Sequence, residues 1–197
     1  MNKNQFIEIV GKVAKENYHK YKILPSLVIA QGALESAWGT KHIENNIFGI
    51  KAGSTWKGKV AERRTREWDG TKYVTIVDKF RAYDSIEESI MDYLKLLGTS
   101  KRYERVKAAK DYREAARLIH EAGYATDPKY AEKLINIIES NRLYEYDKAL
   151  LPSPWAEEAW NWAIRENITD GSNPKAYMTR EQGVTMLYRL AKKITSL

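Results

Sequence analysis

The sequence predicts an α+β fold, mainly helical, in which one small β-hairpin interrupts a helical body and a small helical unit follows at the C-terminus. Three features carry this expectation. Apolar residues recur at three- and four-residue spacing along most of the chain, the mark of amphipathic helices. Between Lys51 and Val77 the pattern changes to short runs punctuated by Gly53, Gly58 and Gly70. Near residue 150, Pro152 and Pro154 forbid helix continuation and separate a unit at 1–147 from one at 155–197, with a linker at 148–154.

Each element has its own signal. Phe6, Ile9, Val10, Val13 and Asn17 set the stripe of an opening helix. A more apolar helix starts near Leu24, where Pro25 suits the first turn because its missing N–H costs nothing there. Its end is expected at Gly39, which takes a left-handed cap without strain. Asp69-Gly70 is a hairpin-turn signal between strands expected at 60–68 and 71–77. Ser85 and Glu88 make a capping box for a helix carrying Ile86, Ile90, Tyr93, Leu94 and Leu97 on one face, with a stop at Gly98. Asp111 and Glu114 cap the next helix, whose face of Ala115, Leu118, Ile119 and Ala122 runs to Gly123. Asp127-Pro128 starts another, with Ala131, Leu134, Ile135 and Ile138 inward. Beyond the linker, Trp155, Ala159, Trp162 and Ala163 share one face, and Thr179 with Gln182 caps a helix that turns Gly183, Met186, Leu187, Leu190 and Ile194 inward. About forty residues in two helices supply little core, so this unit is expected to dock or to self-associate.

Composition narrows the function classes. The 197 residues hold 33 Lys and Arg against 26 Asp and Glu, a net charge of +7, and the isoelectric point is about 9.3. Anionic polymers are therefore the expected partners. The positive charges are interspersed with acids and form no dense basic run, which argues against nucleic acid. Cysteine is absent, which excludes disulfides and thiolate metal sites, and His19, His42 and His120 form no ligand pattern. Neither a metal nor another cofactor is expected. No segment is long and apolar enough to insert into a membrane, and the N-terminus carries no signal-peptide run, so the expectation is synthesis in the cytoplasm and action after release.

Glu35 is the candidate around which a function can be built. It falls in the last turn of the helix that begins at Pro25, where the helix dipole is negative and Leu34, Ala37 and Trp38 crowd it. Field and desolvation both favour the neutral carboxyl. A carboxyl kept protonated near neutral pH can serve as a general acid. The competing reading is a rim glutamate paired with a nearby lysine.

Four segments occur in order through residues 1–147: Gln31-Gly32-Ala33-Leu34-Glu35-Ser36-Ala37-Trp38-Gly39; Asn45-Asn46-Ile47-Phe48-Gly49-Ile50-Lys51; Thr65-Arg66-Glu67 with Phe80-Arg81-Ala82-Tyr83; and Gly123-Tyr124-Ala125-Thr126-Asp127-Pro128 with Tyr130-Ala131. In these the chain resembles the family 73 glycoside hydrolases, endo-β-N-acetylglucosaminidases of bacterial and phage wall lysis, and is similar to the flagellar muramidase-type domain. The resemblance implies a lysozyme-like catalytic domain with its glycan cleft between a helical body and the β insertion. It implies peptidoglycan glycan strands as substrate, cut at the β-1,4 bond between N-acetylglucosamine and N-acetylmuramic acid; with no signal-peptide run, a phage endolysin released by a partner pore is expected over a secreted autolysin. It also implies Glu35 as general acid, Glu67 on the β arm as second carboxylate, and Tyr124 in the cleft.

The residues agree with these roles, each beside an alternative. Glu67 stands among Arg63, Arg64 and Arg66, where it should stay ionised and could activate water or stabilise an oxocarbenium ion. A strand glutamate paired with those arginines is the equal alternative, with Glu62 as fallback for the role. Tyr124 lies between a helix end and a new cap, so its hydroxyl could reach substrate or a water, with packing as the alternative. Gln31 and Tyr130 are candidate substrate contacts. Asn46 offers an amide to the N-acetyl group and Phe48 a ring to a sugar face, with plain core as the alternative for Phe48.

The C-terminal stretch from Trp155-Ala156 through Ile168-Thr169-Asp170-Gly171 to Thr179-Arg180-Glu181-Gln182 resembles a single S-layer-homology motif. Such motifs bind anionic secondary wall polymers, and Arg180 just inside a helix N-terminus is the expected contact. One motif stands here where three commonly assemble, so homo-oligomerisation or simple packing of the tryptophans competes with wall binding. For the whole chain, the rivals to a glucosaminidase are a lytic transglycosylase or muramidase on the same substrate, and a non-catalytic wall-binding or assembly protein.

Overall fold

The computed structural model describes residues 1–68, 71–148, 150–171 and 174–194, with the backbone alone at 65–68, 73, 74, 76 and 154. The chain divides into two compact units, Met1–Tyr144 and Glu145–Leu197.

The first unit is built around a helix that is buried on nearly every side. Helix α1 (Lys3–Tyr21) starts at a capping box in which the Asn2 side chain accepts from the Gln5 N–H and the Gln5 side chain accepts from the Asn2 N–H. It buries Phe6, Val10, Ala14 and Tyr21. Helix α2 (Pro25–Ser36) buries every residue from Pro25 to Ala33, as a helix apolar all round must. Strands β1 (Val60–Trp68) and β2 (Tyr73–Arg81) form one antiparallel pair, with Val60 opposite Arg81 and Glu67 opposite Val74. The Asp69-Gly70 turn lies outside the described residues. β2 runs past the expected end at Val77 because its last residues have further partners: Lys51 bridges to Phe80, the Ala52 N–H donates to the Lys79 carbonyl at 2.7 Å, and the Arg81 N–H donates to the Ile50 carbonyl at 2.9 Å.

Helix α3 (Ile86–Thr99) begins at Ser85, whose side chain accepts from the Glu88 N–H. Gly98 does not stop it. A Cβ at Gly98 would lie 2.7 Å from Tyr21 Cδ1, so this glycine marks a close approach of α1 and the helix continues to Thr99. A 3-10 turn and the short helix α4 (Glu104–Lys107) lead to α5 (Tyr112–Glu121), capped by Asp111 at the Glu114 N–H and terminated before the left-handed Gly123. Helix α6 (Tyr130–Ser140) begins two residues after Pro128, because Asp127 Oδ1 first closes a turn by accepting from the Lys129 N–H at 2.9 Å. α2 packs against α1, α5 and α6, and α1 also packs on α3. Leu27, Ile29, Ile47, Ile90, Ile119 and Leu134 are among the fully buried side chains between them.

The second unit comprises α7 (Glu145–Lys148), a 3-10 turn at Pro154–Ala156, α8 (Glu157–Arg165) and α9 (Arg180–Ile194). Thr179 and Gln182 cap α9 reciprocally, at 3.2 Å and 2.8 Å. Arg189 Nη1 donates to the Ile168 carbonyl at 3.2 Å, and Lys193 pairs with Glu166, so α9 is held by the chain that follows α8. The inward face expected for α9 is corrected: Leu187 is 67% exposed and Ile194 64% exposed, and no residue of the helix is buried. The apolar stripe exists, but this unit's few buried residues give it little to pack against.

Candidate active site

α2 ends in a sharp stop that puts Glu35 at the open end of a buried helix. The helix closes at Ser36, not at Gly39, and three successive residues then take left-handed conformations: Ala37 (φ 47°), Trp38 (φ 61°) and Gly39 (φ 74°). A left-handed non-glycine residue costs on the order of 1 kcal/mol and persists where neighbours over-determine it. Ser36 supplies that constraint, its Oγ donating to the Gly32 carbonyl and accepting from the Gly39 N–H at 2.8 Å. The Trp38 N–H returns to the Ala33 carbonyl at 3.1 Å, and its ring meets Phe6 edge-on at 6.0 Å.

Glu35 opens into a cleft of about 810 Å³ lined by Leu34, Lys51, Tyr124, Ala125, Thr126, Asp127, Tyr130 and Lys133. Such a volume accommodates a few sugar rings. The residue itself meets solvent in the cleft, but protein crowds its carboxyl enough for burial to push the pKa above the usual glutamate range. A hydrogen bond from Tyr130 Oη to Glu35 Oε1, 2.9 Å long, opposes that rise without cancelling it. Asp127 is shifted the opposite way, held low first by Lys133 and then by the Lys129 N–H. One cleft thus holds two carboxyls whose surroundings favour opposite protonation states.

The tyrosines are fixed by their own bonds. Tyr124 Oη donates to the Phe48 carbonyl at 3.1 Å, and its ring stacks on Tyr130 at 6.0 Å. Arg102 donates to the Ala122 and Gly123 carbonyls and so holds the turn that presents Tyr124. Burial raises the Tyr124 and Tyr130 phenols, with the Glu35 charge adding to both, so each remains a donor.

Glu35, Tyr124 and Tyr130 come together in the cleft, whereas Gln31, Asn46 and Phe48 lie beneath it. Asn46 is 3% exposed; its Nδ2 donates to the Ile50 and Arg81 carbonyls at 2.9 Å each, and its Oδ1 accepts from the Ile50 N–H at 3.0 Å. The amide closes the 46–50 loop against β2 and is corrected from a sugar contact to a structural one. Phe48 is stacked on Tyr93 with ring centroids 3.9 Å apart, beneath the surface. Gln31 is wholly buried, bonded to Tyr93 and Tyr130. Glu67 lies in β1, and its side chain lies outside the described residues. Glu62 is exposed and sits 3.6 Å from Lys79, its cross-strand partner. Arg180 is exposed at the first residue of α9, in the other unit. Among the described residues no group of three or more His, Cys, Asp or Glu could hold a metal ion.

Lys51, Asp127 and Lys133 line the cleft although the sequence did not single them out for it, and Tyr93 was read only as core. A signal for Tyr93 existed: a tyrosine and a glutamine on buried helix faces each need a polar partner, and here they supply one another.

A family model described as mannosyl-glycoprotein endo-beta-N-acetylglucosaminidase matches residues 11–143, and the chain belongs to this glucosaminidase family. Among its relatives is the exo-glucosaminidase LytG of Bacillus subtilis (strain 168), 42% identical over 151 residues that cover 73% of this chain and 53% of that protein. The peptidoglycan hydrolase FlgJ of Escherichia coli (strain K12) is 43% identical over 120 residues, covering 57% of this chain and 38% of FlgJ. The chain therefore spans about half, or less, of the length of these curated relatives. Of the solved structures, a peptidoglycan hydrolase mutant from Sphingomonas sp. A1 superposes with a TM-score of 0.64 at 39% identity, covering 72% of this chain and 96% of that one. The catalytic domain of the autolysin Auto from Listeria monocytogenes gives a TM-score of 0.64 at 36% identity, covering 74% and 87%. The mainly helical body with its two-stranded hairpin is thus the lysozyme-like fold of this family.

Proposed function

We propose that the chain is a peptidoglycan hydrolase that cleaves the β-1,4 bond between N-acetylglucosamine and N-acetylmuramic acid, with Glu35 as general acid. The observation that carries the proposal is Glu35 itself: a carboxyl pushed toward its neutral form, held by Tyr130 and open to a cleft of oligosaccharide size. Protonating the glycosidic oxygen leaves positive charge on the sugar, which a second, ionised carboxylate stabilises directly or through an activated water. We assign that role to Glu67. Asp127 is ionised in the same cleft, but its oxygens are engaged by Lys133 and the Lys129 N–H, which suits holding the turn before α6. Glu67→Gln should lose activity strongly while Asp127→Asn should act mainly on stability; the reverse pattern would exchange the two assignments. The names of the relatives, exo-glucosaminidase for LytG and peptidoglycan hydrolase for FlgJ, support the substrate class.

The test is mass spectrometry of peptidoglycan digested by the full chain. New reducing N-acetylglucosamine ends support the proposal; anhydro-muramic ends would indicate a lytic transglycosylase, and reducing muramic ends a muramidase. The wall lies outside the membrane, so the proposal includes release before action, by phage-type lysis, tested by lysis that requires a co-expressed pore. For the C-terminal unit we propose wall targeting through Arg180, or self-association, in support of which stand the exposed Arg180 and the uncovered stripe of α9.

A further inference from the structure

Gln31 sits on α2 one turn before Glu35, with no exposure to solvent and no place in the lining of the cleft. Its amide is engaged at both ends. Tyr93 Oη donates to Oε1, and Nε2 donates to Tyr130 Oη at 3.0 Å. A tyrosine oxygen that accepts from an amide still has one proton to give, and Tyr130 gives it to Glu35 Oε1 at 2.9 Å. We propose that Gln31, oriented by Tyr93, is a positioning residue that fixes the direction of this donor chain, so that Glu35 in its acid form carries its proton on Oε2. The proposal rests on Glu35 being the general acid and adds what decides which of its oxygens acts.

The chemistry allows two arrangements, and the amide selects one. In the other, Tyr130 would donate back to residue 31 and Glu35 would donate its proton to Tyr130, leaving that proton buried. An amide nitrogen carries two protons and cannot accept, so Nε2 against Tyr130 blocks that arrangement. Tyr93 keeps the amide from turning over: its ring is pinned on Phe48 at 3.9 Å, and against a turned amide its hydroxyl would face Nε2 and its own buried proton would lose Oε1 as acceptor. An oxygen that accepts the Tyr130 proton acts as the carbonyl-like oxygen of the neutral carboxyl, which leaves Oε2 for the proton to be transferred. The groups facing Glu35 are Tyr130 and Lys133 from α6, Tyr124 and Asp127 from the loop before it, and Lys51 from the loop before β1. Tyr93 of α3 stands behind the amide, and His120 of α5 lies 6.3 Å from the Tyr130 ring.

The experiment is steady-state kinetics of the full chain on soluble glycan strands across pH, for Gln31→Glu, Tyr93→Phe and wild type. Gln31→Glu puts an oxygen where Nε2 was, so Tyr130 turns its proton away from Glu35; Tyr93→Phe keeps the ring and removes only the bond that orients the amide. We expect kcat to fall about 100-fold in Gln31→Glu, the scale of a misplaced catalytic group, and about tenfold in Tyr93→Phe, the scale of one hydrogen bond. KM should stay within about twofold, since neither side chain touches substrate. The alkaline limb should move to higher pH in both, because Glu35 loses a bond that favours its ionised form. A raised KM with kcat retained would make Gln31 a substrate contact and overturn the proposal. So would a lowered kcat with an unmoved limb, which is what loss of packing alone produces. Tyr93→Phe decides the matter if Gln31→Glu does not fold. Glu35→Gln, assayed beside them, separates the two levels: its activity would end the general-acid reading, whereas an inactive Glu35→Gln with wild-type-like Gln31→Glu and Tyr93→Phe would end only the positioning role.

Discussion

Tyr130 Oη donates to Glu35 Oε1 at 2.9 Å, and this bond opposes the burial that holds the Glu35 carboxyl above its usual range. Tyr130→Phe removes the opposing bond and leaves burial in place. The pKa of Glu35 should rise further, so the alkaline limb of kcat/KM should move to higher pH while the rate below it, where the carboxyl is neutral, falls about tenfold, the scale of one lost hydrogen bond. A pH–rate profile checks this, and a limb that stays put would show that the bond does not set the titration.

The same raised pKa has a consequence for stability. Over the interval between the usual glutamate pKa and the raised one, the folded chain binds more protons than the unfolded chain, so the stability associated with Glu35 is full below that interval and is lost as pH rises through it. Glu35→Gln removes the loss. Thermal melts should show variant and wild type alike well below the glutamate range, with the variant gaining on the wild type toward neutral pH. A gap that does not change with pH contradicts the raised pKa.

Gly98→Ala tests the close crossing of α1 and α3. Alanine gains about 1 kcal/mol over glycine in a free helix, but here its Cβ would lie 2.7 Å from Tyr21 Cδ1 and 3.1 Å from Tyr21 Cα. The backbone atom cannot swing aside, so an overpacking cost of about 1–3 kcal/mol should outweigh that gain and leave a net destabilisation of up to about 2 kcal/mol in urea melts. A stabilised variant would mean that α1 yields.

What was legible in the sequence was whatever a local rule decides. Pro25 at the head of α2, Ser85 and Asp111 at their caps, and the four ordered segments each carry their own signal, and they placed Glu35 at the end of a buried helix. The failures came where a partner distant in sequence decides. Gly98 reads as a stop until Tyr21 is known to lie against it. Asn46 reads as a free amide until the Ile50 and Arg81 carbonyls take its protons. Periodicity made Leu187 and Ile194 inward because it reports which face is apolar and is silent on whether anything covers it. Ala37 and Trp38 carried no glycine-like signal, since their left-handed conformations are imposed by Ser36 and the returning backbone bonds.

The C-terminal unit, residues 145–197, holds seven basic and seven acidic side chains, so it has no bulk charge with which to hold an anionic polymer. Deleting residues 145–197 should leave hydrolysis of soluble glycan strands within about twofold, because every residue lining the cleft belongs to the first unit, while lowering lysis of intact cells. Light scattering should find the full chain larger than the truncated one by more than the missing mass. Equal lysis by two monomers would remove both the targeting and the self-association roles.

The general-acid role of Glu35 is tested most directly by the rate at which the full chain releases new reducing ends from purified walls, measured by mass spectrometry for wild type and Glu35→Gln with the fold of both verified. Glutamine preserves the volume and removes the proton donor, so a loss of about three or more powers of ten is predicted, at or above the upper part of the range for a general acid. Release at the wild-type rate by Glu35→Gln would contradict the account.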